Sequence, residues 1–343
     1  MDSHIIEASA SLKAALSKLN DLSGGVMTLI ALDREGRVVG TITDGDIRRA
    51  LLRGLPLDAE VAQAMKRDFS FLAEGETDVR ALRAMRRKGL RLIPVLDADR
   101  RLVRLIDTAH TRTVLPVTAV LMAGGKGERL RPLTLSTPKP LLKVGEKAII
   151  DYNIDALRRV GVEKIYVTVN YLGEKLEKHF EGTGVECVRE PRFLGTIGSA
   201  RFVPLPVEGS TIVMNSDLLT TVSFEDLYLR HIEDDADVTI AAIPYNLSVP
   251  YAILTTEGRR VTGIEEKPSF SYFANAGIYI FRNSLLLSLP DDVRTDAPDF
   301  IEQIIASGGR VNYMPVNGTW IDIGSPSDYQ HACRLMEHVS SLR

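Results

Sequence analysis

The stretch AVLMAGGKGERLRPLTLSTPKPLLKV, residues 119–144, constrains this chain more than any other. Ala119 to Met122 are consecutive apolar residues and read as a buried strand. They run directly into Ala123-Gly124-Gly125-Lys126-Gly127-Glu128-Arg129. Glycine tolerates conformations that a Cβ forbids, so backbone N–H groups can crowd into a concavity that attracts anions. Arg129, Arg131 and Lys139 add positive charge within reach of that loop, while Pro132, Pro138 and Pro140 stiffen it. A strand ending in such a loop predicts phosphate binding at the carboxyl edge of a parallel sheet. The spacing is neither GxxxxGK[ST] nor GxGxxG, so the P-loop and dinucleotide fingerprints are excluded.

At 343 residues the chain is long enough for two domains with separate cores. The first part carries a diffuse internal repeat. Leu32-Asp33-Arg34-Glu35-Gly36-Arg37-Val38-Val39-Gly40-Thr41-Ile42 aligns with Leu96-Asp97-Ala98-Asp99-Arg100-Arg101-Leu102-Val103-Arg104-Leu105-Ile106. Each copy predicts strand, polar turn, strand (27–32 with 38–43, 91–96 with 102–106) after an amphipathic helix (11–22, 78–88). The arginines at 80, 83, 87 and 91 recur at helical spacing and read as a solvated face rather than a phosphate surface.

This order resembles a tandem pair of CBS domains, with copies at about 1–60 and 61–113. In that family a Thr/Ser-x-x-Asp signature holds the ribose of a regulatory nucleotide. Thr43-Asp44-Gly45-Asp46 matches it, whereas Asp107 and His110 break it in the second copy. The resemblance implies one intact ligand site, at Thr43 and Asp46, and homo-oligomers assembled through the CBS modules. From the residues alone, Thr43 and Asp46 serve equally as caps of a helix over 46–53, and both roles are compatible. The run TRTVLPV, 111–117, leads into the next strand, with 114–117 as the linker proper.

From 118 to 343 strand and helix patterns alternate: a helix over 148–160, a strand over 164–170, a helix over 172–180, and strands over 185–189 and 211–214. The fold class expected is α/β, a Rossmann-like, mostly parallel sheet preceded by the α/β CBS pair. Asp217 follows the strand at 211–214, and Asp322 lies in the apolar run Trp320-Ile321-Asp322-Ile323-Gly324 before a final helix capped by Ser325 or Ser327. Two carboxylates near a phosphate loop suit a hard, oxygen-preferring cation such as Mg²⁺. Asn275-Ala276-Gly277 is expected to open a strand at 278–281.

Gly124-Gly125-Lys126-Gly127-Glu128-Arg129-Leu130-Arg131-Pro132-Leu133-Thr134, Pro138-Lys139-Pro140, Leu194-Gly195-Thr196-Ile197-Gly198, Asn215-Ser216-Asp217, Glu266-Lys267-Pro268, Asn275-Ala276-Gly277 and Ile321-Asp322-Ile323-Gly324 together resemble the sugar-1-phosphate nucleotidyltransferases. That resemblance implies Mg²⁺-dependent attack of a sugar 1-phosphate on the α-phosphorus of a nucleoside triphosphate, releasing pyrophosphate. It implies catalytic roles for Arg129, Lys139 and Asp217, and metal binding by Asp217 and Asp322. Leu121, Ala123, Gly124, Gly125, Thr196 and Gly198 would frame the nucleotide; Glu266, Lys267, Asn275 and Gly277 would hold the sugar phosphate. The pairing with CBS modules resembles the glucosamine-1-phosphate guanylyltransferases of legionaminic-acid pathways. This favours GTP and an amino-hexose phosphate, with uridylyl, thymidylyl and mannose-type guanylyl transfer as alternatives.

Other classes are disfavoured. Net charge is −3, which gives no hint of nucleic acid. Cys187 and Cys333 stand far apart, against a disulfide scaffold or a cysteine zinc site. No apolar run approaches bilayer length and the N-terminus lacks a signal pattern, so a cytoplasmic chain without membrane contact is expected. A glycosyltransferase would carry Asp-x-Asp where Asn215-Ser216-Asp217 stands. A nucleotide-sensing protein without turnover is the non-enzyme alternative, against which the full set Arg129, Lys139, Asp217 and Asp322 argues.

Overall fold

The computed structural model describes residues 2–75 and 78–341, the last four of them as backbone. The expected bounds at 1 and 343, and residues 76–77 of the second repeat, lie outside that set. The chain divides into two compact units, 1–114 and 115–343.

In the first unit β1 (Ile5–Glu7), α1 (Leu12–Asp21), β2 (Thr28–Leu32), β3 (Val38–Thr43) and α2 (Asp44–Leu52) precede β4 (Leu72–Ala73), α3 (Val79–Arg87), β5 (Leu92–Leu96) and β6 (Leu102–Asp107). Strands β1-β2-β3 form one sheet and β4-β5-β6 another. In each, the first pair is parallel and the second antiparallel. The repeat is therefore one of topology. Val26, Ile30 and Val38 share an apolar cluster with Leu92 and Leu96, the face neither copy could bury alone. Strands β1 and β4 escaped sequence detection because three and two residues hold too little periodicity. Helix α2 starts at Asp44, two residues before the expected 46. Its N-cap is Thr43, whose hydroxyl accepts from the Asp46 amide at 3.3 Å. Asp46 Oδ2 accepts from the Thr43 amide (2.9 Å) and hydroxyl (2.6 Å), and Oδ1 from Arg49.

The second unit contains β7 (Val117–Met122), β8 (Lys143–Val144), β9 (Lys147–Ala148), α4 (Ile149–Arg159), β10 (Ile165–Val169), α5 (Gly173–Phe180), β11 (Val185–Arg189), β12 (Ser210–Asn215), β13 (Leu218–Thr220) and α6 (Phe224–Glu233). It continues through β14 (Val238–Ser248), β15 (Ile253–Glu257), β16 (Arg260–Glu265), β17 (Ser269–Arg282), α7 (Asn283–Leu287), α8 (Ala297–Ala306), β18 (Val311–Pro315), β19 (Trp320–Asp322) and α9 (Pro326–Ser341). A seven-stranded sheet runs β11-β10-β7-β12-β17-β14-β18. β17 is antiparallel to both neighbours and the other pairings are parallel. The fold is α/β with a mostly parallel central sheet. β7 is buried over its first five residues, as a strand covered on both faces must be. Val120, Val213, Tyr279 and Phe281 pack against Ala297, Phe300, Ile301 and Ile304 of α8. Each large side chain so buried is worth roughly 1.5–3 kcal/mol.

Asn275-Ala276-Gly277 lies inside β17 instead of opening a strand at 278. Pairing with β14 extends the strand to residue 269, past the end of its contact with β12. Ser325, not Ser327, caps α9: its hydroxyl accepts from the Asp328 amide (3.3 Å), while Asp328 accepts from the Ser325 amide (2.9 Å).

At the amino edge of the sheet, His231 is buried between the Ser210 hydroxyl (3.0 Å) and the Thr239 hydroxyl (2.9 Å). Burial, with Arg282 nearby, depresses its pKa to about 4. An unfolded imidazole protonates near pH 6.5, so between these values the unfolded chain binds the extra proton and stability falls as pH falls. Denaturation measured at pH 7 and pH 4 should show a loss approaching 3 kcal/mol from this residue. His231→Gln should flatten that dependence, and an unchanged slope would refute the assignment.

Candidate active site

The site is built where β7 and β12 end together. The two are paired in parallel, with Leu121 beside Met214 and Met122 beside Asn215. The Ser216 hydroxyl then donates to the Met122 carbonyl at 2.6 Å, tying the two strand ends. Leu121 and Ala123 are buried beneath the loop, whereas Gly125, Lys126 and Arg129 are exposed above it. Within the loop the Thr134 hydroxyl donates to the Gly127 carbonyl at 2.9 Å. Pro138 and Pro140 are buried on either side of Lys139 and direct its side chain inward.

Asp217 and Asp322 meet through a small ribbon apart from the main sheet. β13 pairs antiparallel with β19, Leu218 opposite Asp322, and the Ile323 amide donates to the Asp217 carbonyl at 3.2 Å. The Lys139 ammonium donates to Asp217 Oδ2 and lies 4.0 Å from Asp322. The Lys139 and Asp217 side chains are only 12% and 20% exposed, so this contact is weakly screened. Burial and then the Asp217 charge push Asp322 above the ordinary carboxylate range, against the pull of Lys139 and Arg129. Asp217 Oδ1 is buried with no hydrogen-bond partner. An orphaned carboxylate oxygen beside a second, destabilised carboxylate fits a hard cation whose remaining ligands are phosphate and water.

Arg129 reaches the same cluster over Gly324. A Cβ at 324 would stand 3.2 Å from an Arg129 nitrogen, so the small residue lets the guanidinium lie close to the backbone. The indole N–H of Trp320 donates to the Ala276 carbonyl at 2.9 Å, linking β19 to the Asn275–Gly277 part of β17. Arg129, Lys139, Asp217 and Asp322 thus converge from three separate chain segments.

Other expected residues are placed differently. The Thr196 hydroxyl accepts from the Ala297 amide (2.8 Å) and its own amide donates to Asp296 (2.9 Å), so Thr196 braces its loop against the start of α8. Gly198 donates from its amide to the Thr295 carbonyl in the same brace. Asn275 accepts from the Gly277 amide and donates to the Tyr279 hydroxyl, both at 2.9 Å, which engages both ends of its amide within β17. Glu266 and Lys267 are exposed between β16 and β17, and their side chains join no hydrogen bond or ion pair among the described residues. Lys267 holds left-handed backbone at φ 46°, a strained conformation for a side-chain-bearing residue.

One residue escaped the sequence reading. Glu190, just past β11, is buried and its Oε2 accepts from the Leu194 amide at 3.1 Å. A Cβ on residue 124 would clash with its Oε1, so Gly124 admits a carboxylate against the nucleotide loop as well as freeing the backbone. Burial raises the Glu190 pKa, although the Leu194 amide opposes this. The available signal was a lone acid at a strand end four residues before Leu194, too slight without the third dimension.

A family model described as nucleotidyl transferase matches residues 118–338. The chain belongs to that family. A CBS domain model matches residues 2–53. Among nucleotidyl transferase relatives, the mannose-1-phosphate guanylyltransferase catalytic subunit beta of Danio rerio is 31% identical over 227 residues, covering 62% of each chain. The subunit of the same name in Drosophila melanogaster is 32% identical over 241 residues, 66% of this chain and 63% of the relative. The chain therefore spans about three fifths of the length of these relatives. The solved structure of HddC from Yersinia pseudotuberculosis complexed with GMP-PN covers 64% of this chain and 99% of its own. At 22% identity and a TM-score of 0.50, it speaks for the fold alone. No helix among the described residues is long and apolar enough to cross a membrane.

Proposed function

We propose that residues 118–343 transfer a guanylyl group from GTP to a hexose 1-phosphate, yielding a GDP-sugar and pyrophosphate, and that residues 1–113 form a tandem CBS regulatory module. The observation that carries the reading is the cluster of Lys139, Asp217, Asp322 and Arg129 at the end of β7. Asp217 and Asp322 would hold Mg²⁺, which when bound neutralises phosphate charge. Lys139, now held by Asp217, is positioned to neutralise charge at the α-phosphate, and Arg129 at the departing pyrophosphate. The loop amides at Gly124 and Gly125 receive phosphate oxygens. Lys267 supplies a cation for the phosphate of the sugar. No covalent intermediate is required, so catalysis rests on alignment and charge compensation.

The preference for guanine rests on Glu190. Its carboxylate presents acceptors only, and guanine N1–H with N2–H₂ presents adjacent donors. Uracil and thymine offer one donor flanked by carbonyls, which would face the carboxylate unfavourably. The names of the relatives support mannose 1-phosphate as the sugar, ahead of the glucosamine 1-phosphate suggested by the CBS pairing. A regulatory nucleotide at Thr43 and Asp46 would meet a carboxylate whose oxygens already accept hydrogen bonds, so it has a capping box to rearrange.

A matrix of four triphosphates against mannose, glucosamine, N-acetylglucosamine and glucose 1-phosphates, scored by Mg²⁺-dependent pyrophosphate release, tests the reading. GTP should be preferred by at least tenfold. Glu190→Gln should lower kcat/KM for GTP by roughly tenfold to a hundredfold, the cost of one mismatched polar contact, and raise relative use of UTP or dTTP. Absence of turnover in every cell would reject the enzyme, whereas unchanged base preference in the variant would reject only Glu190 as its reader.

A further inference from the structure

β14 and β17 continue past the sheet as a two-stranded ribbon. β18 pairs β14 only as far as Ala242, and β12 meets β17 only from Ile278 onward. Beyond those points 244–248 pairs with 269–273 alone, and no third strand joins either edge among the described residues. Such a ribbon is marginal in water by itself.

Directly opposed residues of a ribbon share a face. Tyr245 opposes Tyr272 and Leu247 opposes Phe270, making one face apolar. On the other face Asn246 with Ser271 and Ser248 with Ser269 are polar and hydrogen-bond across it at 2.8 and 3.3 Å, while at its base Pro244 opposes Phe273, whose ring already packs on Tyr313 at 4.7 Å between centroids. The alternation is that of a strand pair with one covered side, yet Tyr245 is 57% and Tyr272 56% exposed. The hairpin beyond adds Tyr251 and the opposed pair Leu254 and Ile264, all more than half exposed.

We propose that a second copy of this chain covers the apolar face, ribbon against ribbon about a two-fold axis. Charge is the first argument. Residues 240–256 and 268–281 contain no charged side chain, in a chain that is 25% charged. Charge begins only beyond them, at Glu257 to Arg260 and at Glu265 to Lys267 beside Ile264, so the ribbon itself offers nothing for a charged partner to complement and nothing that repels its own image. Area is the second. Seven half-exposed side chains of this size offer roughly 100 Å² each. Their sum, roughly 700 Å², is close to the approximately 800 Å² per partner of a stable interface. This contact lies on the nucleotidyl transferase unit and is separate from any association through CBS modules.

Sedimentation of the full chain, with amide exchange followed over a hundredfold range of concentration, tests it. The wild type should show a mass of at least two chains, with amides in 244–248 and 269–274 more protected at high concentration. Leu247→Asp/Tyr272→Asp places like charges on both mating faces and should halve the mass, with a cooperative melt showing that the fold survives. A mass unchanged in the folded variant would overturn the proposal. So would exchange at these amides that is independent of concentration in the wild type, a readout that stands if the variant fails to fold. The same protection in a chain that sediments as a monomer would also overturn it.

Discussion

Asp217→Asn should reduce pyrophosphate release by roughly 10²–10³-fold under saturating substrates, the scale seen when one charge-compensating group is removed from a transition state. The substitution is nearly isosteric and leaves the Ser216 tie and the β13–β19 ribbon in place, but it takes the counter-charge from the largely buried Lys139 ammonium, so stability should fall by about 1–3 kcal/mol while the fold persists. What it removes is the charge on a carboxylate whose Oδ1 is buried without a partner. Half-saturating Mg²⁺ should rise as well, because one of two anionic ligands is lost. Full activity at unchanged Mg²⁺ would remove Asp217 from the mechanism. A pH profile adds a second check. Asp322 is pushed above the ordinary carboxylate range by burial and by Asp217, so its proton goes on earlier as pH falls. Activity should decline on the acid side at a pH above about 3.9, the value of an unperturbed aspartate, and higher Mg²⁺ should move that decline to lower pH. In Asp217→Asn the limb should shift down, since the neighbouring charge is gone.

Lys139→Met should produce a comparable loss, about 10²–10³-fold in kcat/KM, with a different signature. Methionine retains much of the stem that packs against Gly127, so the loop keeps its shape. The two carboxylates lose the cation between them and repel one another, which should push Asp322 further up and move the acid limb of the pH profile upward, opposite to Asp217→Asn. Stability should fall above that limb by about 1–3 kcal/mol, the cost of a largely buried charge left unpaired, and Mg²⁺ should restore part of it by binding the folded state. Lys139→Arg would separate charge from shape. If Lys139→Met retained wild-type activity and an unmoved acid limb, the pairing in the structure would have no catalytic meaning.

These opposite pH shifts could not be argued from the sequence. Asp217 and Asp322 were legible as separate acids near apolar runs, because a strand followed by a carboxylate is a local pattern. That Lys139 bridges them was not, since contacts among 139, 217 and 322 depend on β13 pairing with β19, and two three-residue strands leave almost no periodic trace. Glu190 was missed for a related reason: its meaning comes from lying against Gly124, a neighbour only in space. Thr196 and Asn275 show the converse. The pattern drew attention to them, and the tertiary structure spends their polar groups on holding a loop and a strand.

By itself the sequence determined what local chemistry determines. The apolar run 119–122 had to be a covered strand, the glycines and prolines after it a tight and stiffened loop, and the alternation beyond it an α/β sheet, because each follows from steric or hydrophobic patterning within a few residues. The repeat in the first unit was legible for the same reason. Tertiary structure alone decided which charges meet, which polar groups are already satisfied, and which face is left uncovered. Register between distant strands sets all three: Leu218 opposite Asp322 brings the acids together, and Tyr245 opposite Tyr272 turns scattered aromatics into a surface. No residue-local preference encodes a register between segments so far apart, because it is fixed by the packing of the whole sheet.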